Sequence, residues 1–499
     1  MESYISNLPI ELFFDIVSRL DYSDIIRLCR TSSSLNELLC RSDDIWEILY
    51  HRDISSHPPP SSYFKAYQQV IQDTTNKWPN ETLLYAAKNG YEKLVDRMVQ
   101  LGAKQYNIAM IWAAWAGNLD IVERMLELGA KNYNWAMASA SEGGHRDIIE
   151  LILTFVGKDY NYDYNWALRE AAYRGHRDIV DLILKLGGKN YSYDYNSAMK
   201  YAAKGGHLDI VELMLQKGAT DYNAAMAEAA GGGYLDIVEL MLDRGANNYN
   251  QAMIAAAEGG YLDIVELMLD RDANDYNWAM AYAARGGHRD IVELMLDRGA
   301  NDYNRAMTYA AGGGHRDIVE RMLDLGGKNY YYDYDKAMVY AAENGYPDIV
   351  ELMIQRGAKD YDRAMAMAAR GGHLDIVERM IQLDADDYDY ALIKAAEGGH
   401  LDIVKRMLQK GVKNYKWSIN MAMKEAAFGG YRDIVELMLD LAADDYDGAL
   451  AFAARGGHLD IVELMLQKGA KNYKWLIYVE EINDDIKEFL RMWKNTNQS

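Results

Sequence analysis

Between residues 81 and 470 the apolar positions fall three and four apart in short runs, and glycines divide one run from the next. Such spacing places each run on one face of an α-helix, and the glycines mark where helices stop. The order repeats. With G-H-R-D-I-V-E-L-M-L as a ruler, its aspartate recurs at Asp120, Asp147, Asp178, Asp209, Asp236, Asp263, Asp290, Asp317, Asp348, Asp375, Asp402, Asp433 and Asp460, and Lys93 holds the slot in a weaker first copy. Successive spacings are 27 or 31 residues, the longer one only at 147–178, 178–209, 317–348 and 402–433. The prediction is an array of 14 helix-turn-helix units over 81–470, each reading Y-N-x-A-M-x-x-A-A-x-G-G-H-x-D-I-V-E-L-M-L-D-x-G-A.

In the unit from Tyr276 to Ala300, Asn277 is placed to cap the first helix, whose inner stripe is Met280, Ala283 and Ala284. Gly286 and Gly287 stop it. The second helix starts near His288, carries Asp290 at the positive end of its dipole, buries Ile291, Val292, Leu294, Met295 and Leu296, and ends at Arg298 and Gly299. One unit cannot bury these stripes alone, so stability must come from stacked neighbours. Pro347, the one proline inside the array, falls at a helix start, where its missing N–H costs nothing.

The flanks read differently. Residues 1–54 form a small domain of short amphipathic helices. Residues 55–80 are a linker with the Pro-rich run Ser55 to Ser62 and a short helix at Tyr63 to Gln72. Residues 471–499 place Leu476, Val479, Ile482, Ile486, Phe489, Leu490 and Trp493 on one stripe, expected to be a helix capping the array. The fold class predicted is all-α.

Composition narrows the function. A formal charge of −22 repels phosphate backbones and anionic lipid unless a basic patch overcomes it, and no such patch is evident along the chain. No nucleic-acid or membrane partner is therefore expected. No run of about 18 apolar residues occurs, and only Cys29 and Cys40 are present, which suits a reducing, cytoplasmic setting. Eight of the ten histidines sit in the G-H turn, where Tyr or Asn substitutes in the other six units, a swap that no metal ligand or general base would survive. The methionines recur at helical spacing and read as core filler. No metal, cofactor or catalytic residue is assigned, and the chain is not expected to be an enzyme.

Positions that change from unit to unit are free to specify a partner. One slot follows the Asn of the first helix and a second lies seven residues on, on the same face. Trp135, Trp166, Tyr173, Trp278, Arg285, Arg305, Arg363 and Tyr390 occupy these slots and are the candidate target-binding residues, being of types that dominate binding hot spots, with Trp and Arg foremost. The longer units add Tyr160 to Tyr164, Tyr191 to Tyr195, Tyr330 to Tyr334, and the different Tyr415 to Ser418; these tyrosines either contact a partner or pack across adjacent loops.

Trp278 to Val292 resembles the ankyrin repeat, with W-A-M-A-Y-A-A-R-G-G-H-R-D-I-V aligning on that family's T-P-L-H-x-A-A-x-x-G-H-x-x-I-V. The Thr-Pro-x-His corner is absent and the unit is about six residues short of 33. The resemblance implies that the missing stretch is the β-hairpin finger and that recognition moves to the first helices. Leu8, Pro9, Glu11, Ile16, Leu20, Asp24, Ile25 and Leu28, with Trp46, resemble the F-box, although Leu35 and Thr31 depart from its usual residues. That resemblance implies docking on the small adaptor of SCF ubiquitin ligases through Leu8, Pro9, Ile16, Leu20, Ile25 and Leu28. An F-box joined to shortened ankyrin units is similar to proteins encoded by large DNA viruses of amoebae, which implies the host-cell cytoplasm. A receptor bridging the adaptor to an unknown target protein follows; the alternative is a protein-binding scaffold or decoy with no link to a ligase.

Overall fold

The computed structural model describes residue 54 and residues 79–157, 160–187, 191–327, 330–479, 482 and 484–496. The six F-box positions, linker residues 55–78 and both cysteines lie outside these residues, while the last two linker residues open the first described helix, Pro79–Asn89. The chain divides into two compact bodies, Met1–Tyr191 and Ser192–Ser499. Among the described residues the protein is all-helical, with 29 α-helices, one short 3-10 helix and no strand. The first body holds four helix pairs, from Pro79–Asn89 to Arg177–Leu186, and the second holds ten, from Tyr195–Gly205 to Leu459–Lys468. Within each body, first helices pack on first helices of neighbouring repeats and on their own second helices.

The core is the predicted one in kind. Met280, Ala283, Ala284, Ile291, Val292 and Met295 are fully buried, and the alanines leave room for close approach of helices. Leu294 and Leu296, expected inside, are only half-buried, because the buried stripe of the second helix, Ile291, Val292 and Met295, is narrower than its apolar run.

The expected cap at Asn277 is corrected. The helix begins one residue earlier, at Tyr276, and the capping position is the Asp or Asn before the tyrosine. Thus Asp302 accepts from the Arg305 N–H at 3.1 Å, and Asp221, Asp333 and Asp387 act likewise. The motif asparagine works between repeats instead. Asn277 Oδ1 accepts from the Asn301 and Asp302 N–H groups at 2.7 and 2.9 Å. Asn107, Asn196, Asn223 and Asn250 repeat the pattern towards the N-terminus; Asp335, Asp362, Asp389 and Asp447 do so towards the C-terminus. In these repeats one side chain satisfies two loop N–H groups of the next repeat, while Asn134 and Asn304, which precede tyrosine insertions, accept from the Asp163 and Asp333 N–H groups.

The turn glycines and histidines are a second joint. Gly287 has φ +80°, and a Cβ there would lie 2.3 Å from Cε1 of His315 in the next repeat. His288 Nε2 sits 3.0 Å from the Glu258 carbonyl oxygen of the preceding repeat. Tyr234, Tyr261, Tyr346 and Tyr431 press their rings on turn glycines in the same way, which explains why His and Tyr interchange.

Of the four insertions, three are loops and the fourth is not. Tyr415 to Ser418 extend the first helix to 15 residues, Tyr415–Gly429. At the C-terminus the single stripe expected is broken: a 3-10 turn, Lys474–Tyr478, buries Leu476 and Ile477, and a separate helix, Asp484–Thr496, buries Ile486 and Leu490 against that turn and the Leu459–Lys468 helix. At the other end, Ile54 is buried and its carbonyl accepts from the Lys93 and Leu94 N–H groups, closing the N-terminus of the Glu92–Gln100 helix.

Candidate binding surface on the first helices

Most first helices begin at a Tyr-Asn or Tyr-Asp pair, so the buried face takes the A-M and A-A positions and the outward face takes the slots at i, i+4 and i+7. Two of these are the variable slots read from the sequence. The middle one was missed, although its i+4 spacing from the first was the available signal. It carries Trp112, Tyr282, Tyr309 and Tyr340.

In the first body the outward face is tryptophan-rich. Trp112 and Trp115 meet edge to face with centroids 6.3 Å apart, and Lys88 Nζ lies 4.8 and 5.4 Å from the two rings. Trp135, 54% exposed, meets Trp166 of the next repeat edge to face at 4.2 Å, and Trp166 Nε1 donates to Glu170 at 3.1 Å. Tyr173 is half-buried with the Arg174 guanidinium 5.2 Å from its ring, and Arg174 pairs with Glu142 at 2.5 Å.

In the second body the outward slots of four consecutive first helices have a different character. They read Trp278, Tyr282, Arg285; Arg305, Tyr309, Gly312; Lys336, Tyr340, Glu343; and Arg363, Met367, Arg370. The Arg305 guanidinium lies 4.0 Å over the Trp278 ring, and Tyr282 meets Tyr309 edge to face at 5.4 Å. Burial, with Tyr282 next to it, pushes the Tyr309 hydroxyl above its ordinary value. Tyr390, further on, has Lys394 Nζ 5.6 Å from its ring. Of the eight candidates, then, Trp135 joins Trp166 and Trp278 joins Arg305. Arg285 is paired with Glu258 at 3.3 Å, and Arg363 stands exposed.

These slots gather a row of cations, three of which are already met by carboxylates of the same or neighbouring repeats. Five cations face one carboxylate on these twelve positions of an acidic chain. They are spread over some 86 residues of sequence, and only the stacking of repeats gathers them.

The tyrosine insertions mostly pack. Tyr162 and Tyr332 are 2% and 7% exposed, and their hydroxyls donate to the Gly157 and Met322 carbonyls. Burial raises both to about 12. Rings join in chains, Tyr133 to Tyr160 to Tyr162 to Tyr164 to Tyr191 and Tyr303 to Tyr330 to Tyr332 to Tyr334. Tyr331 points outward, 78% exposed.

A repeated helix pair, shortened, strandless and joined through its turns, is what the family comparison recognises. The model "Ankyrin repeats (3 copies)" matches residues 83–165, 136–226, 168–251, 225–305, 339–416 and 364–447, more than half of the chain. The chain belongs to the ankyrin-repeat family. In this ankyrin-repeat protein an "F-box-like" model matches residues 5–52. A comparison with curated proteins finds no match. Similar solved structures include the pentatricopeptide repeat protein PPR10 from maize, at 15% identity over 99% of this chain and 92% of that one, with a TM-score of 0.31. Another is PPR10 in complex with an 18-nt psaJ RNA element, at 12% identity over 99% and 85%, again with a TM-score of 0.31. Scores of this size establish no common fold. Among the described residues no helix is long and apolar enough to cross a membrane, and no three His, Cys, Asp or Glu side chains group as a metal would need.

Proposed function

We propose that this ankyrin-repeat protein is a non-catalytic receptor that bridges an SCF ubiquitin-ligase adaptor to a target protein. The observation that carries the reading is the presence in one chain of an F-box-like segment at 5–52 and of repeats that expose aromatic and cationic side chains on their first helices. Leu8, Pro9, Ile16, Leu20, Ile25 and Leu28 hold the adaptor. Trp135, Trp166, Tyr173, Trp278, Arg285, Arg305, Arg363 and Tyr390 contact the target. Tethering both partners raises the effective concentration of the target beside the ubiquitin-charged enzyme, so no catalytic side chain is required of this chain. The union of an F-box with shortened repeats suits a protein of the large DNA viruses of amoebae, acting in the host cytoplasm.

Capture of purified SCF adaptor by the full chain, and its loss in Leu8→Ala/Pro9→Ala, is the expected result. Absence of capture by the folded wild-type chain refutes the ligase link and leaves the second reading, a scaffold or decoy that acts through the repeat surface alone.

A further inference from the structure

We infer that the outward face of the four first helices Tyr276–Gly286, Tyr303–Gly313, Tyr334–Glu343 and Tyr361–Gly371 binds an acidic, extended segment of a protein partner. This deepens the proposed function by giving the target's chemistry, and it rests on the reading that the repeats bind a protein.

Three observations converge. The first is charge. Three of the five cations are already met by carboxylates: Arg285 by Glu258 at 3.3 Å, Arg305 by Asp302 at 3.1 Å, and Arg370 by Glu343 and Glu397 at 3.0 and 3.1 Å. Lys336 and Arg363, both exposed, have no carboxylate within ion-pair distance among the described residues. Acids beyond a Debye length of about 8 Å are screened, so a ligand in contact meets the local groups: Asp333 and Asp360 are engaged as caps by the Lys336 and Arg363 backbone N–H groups, which leaves the two cationic side-chain heads without a carboxylate partner.

The second is spacing. Lys336 and Arg363 hold the same slot on adjacent first helices. Packed helices lie about 8–10 Å apart, and an extended chain advances about 3.3–3.6 Å per residue, so carboxylates about three residues apart would meet the two cations. Two cations without a carboxylate partner, Lys336 resting 5.8 Å from the Tyr340 ring and Arg363, suit a short acidic run. They do not suit a nucleic acid, whose affinity grows with the number of phosphates neutralised and whose backbone would continue over the paired, already neutralised positions.

The third is Gly312. It occupies an outward helical slot without a positive φ, and a Cβ there would sit at an ordinary 3.6 Å from Tyr340. The fold does not need glycine here, and a helix is weakened by it. Its absent side chain leaves helix backbone uncovered beside Tyr340, where a ligand's own backbone or an aromatic side chain can settle against the Tyr309 and Tyr340 rings.

The test uses the full chain and a fluorescein-labelled 15-residue peptide repeating Glu-Phe-Ser, with Lys-Phe-Ser and an oligo-dT 20-mer as competitors, read by fluorescence anisotropy. The expected result is a preference of about tenfold or more for the Glu peptide over the Lys peptide, falling as salt is raised. Lys336→Glu/Arg363→Glu should abolish the preference, while Arg244→Glu, at the C-cap of the Leu235–Asp243 helix, should leave it unchanged. Gly312→Leu, a better helix former, should keep or raise the melting temperature and still weaken binding. Equal affinity for both peptides, binding of oligo-dT in preference to the Glu peptide, or a preference insensitive to the double reversal overturns the inference. Adaptor capture measured on the same preparations separates the readings. Capture without an acidic preference sinks only this inference, and the reverse pattern sinks only the ligase link.

Discussion

The joint at Asn277 allows a quantitative test of what holds one shortened repeat to the next. Its Oδ1 accepts two N–H groups, from Asn301 at 2.7 Å and Asp302 at 2.9 Å, and Asn277→Ala removes both acceptor contacts at once. A neutral hydrogen bond contributes about 1 kcal/mol net, so the upper figure is about 2 kcal/mol. Asn301 is exposed and water can replace one contact, whereas Asp302 is half-buried; the expected loss is therefore about 1–2 kcal/mol. A long array need not unfold in one step, so the readout should be local. Hydrogen exchange at the Asn301 and Asp302 amides should accelerate about 5–30-fold, the factor such a free energy implies. Asn277→Asp should keep protection at neutral pH, since a carboxylate accepts the same bonds with charge assistance, as Asp335 and Asp362 do. Exchange in Asn277→Ala indistinguishable from wild type would refute the claim that this side chain joins the repeats.

Ala442 occupies the loop position that is glycine in most repeats and has φ +66°, so Ala442→Gly should stabilise the last repeats, by up to about 1 kcal/mol, in a thermal or urea melt. Tyr162 and Tyr332 are raised by burial to about 12 from 10, so each contributes stability that is full below pH 10 and lost as pH rises through the folded value; Tyr162→Phe/Tyr332→Phe should remove the late component of an alkaline titration followed at 295 nm. Although burial pushes the Asp389 carboxyl up, hydrogen bonds from the Ser418 hydroxyl and the Lys413 and Asn414 N–H groups outweigh it and hold the carboxyl below its ordinary value. Its contribution is present above the unfolded value near 3.8 and is lost as pH falls through the lower folded value; Asp389→Asn should flatten the acid limb of exchange at residues 413 and 414.

The repeat period, the helix-turn-helix unit and the buried stripe were legible in the sequence because each is local: i, i+3 and i+4 spacing and turn glycines act within some 25 residues. The exposure of Trp135 and Trp278 could also be read, since a large variable residue on the face opposite A-M and A-A lies outside the buried stripe. What a side chain reaches in the next repeat was not legible. Asn277 looked like a cap because asparagine is a good one, yet the helix starts at Tyr276 and the amide bonds 24 and 25 residues onward. Lys336 and Arg363 lie 27 residues apart in an acidic chain, so no sequence window shows them as neighbours. The segment at Tyr415 was legible as different from the other three insertions, carrying Lys-Trp-Ser in place of a Tyr-x-Tyr-Asp turn, but that it extends a helix was not, since Ser418 is buried there as donor to Asp389.

The sequence by itself therefore determined the unit and its core, since hydrophobic periodicity and turn chemistry act along the chain. The tertiary structure alone decided how units are joined and which surface they build. Those depend on groups that distance along the chain separates and stacking brings to within hydrogen-bond and ion-pair reach.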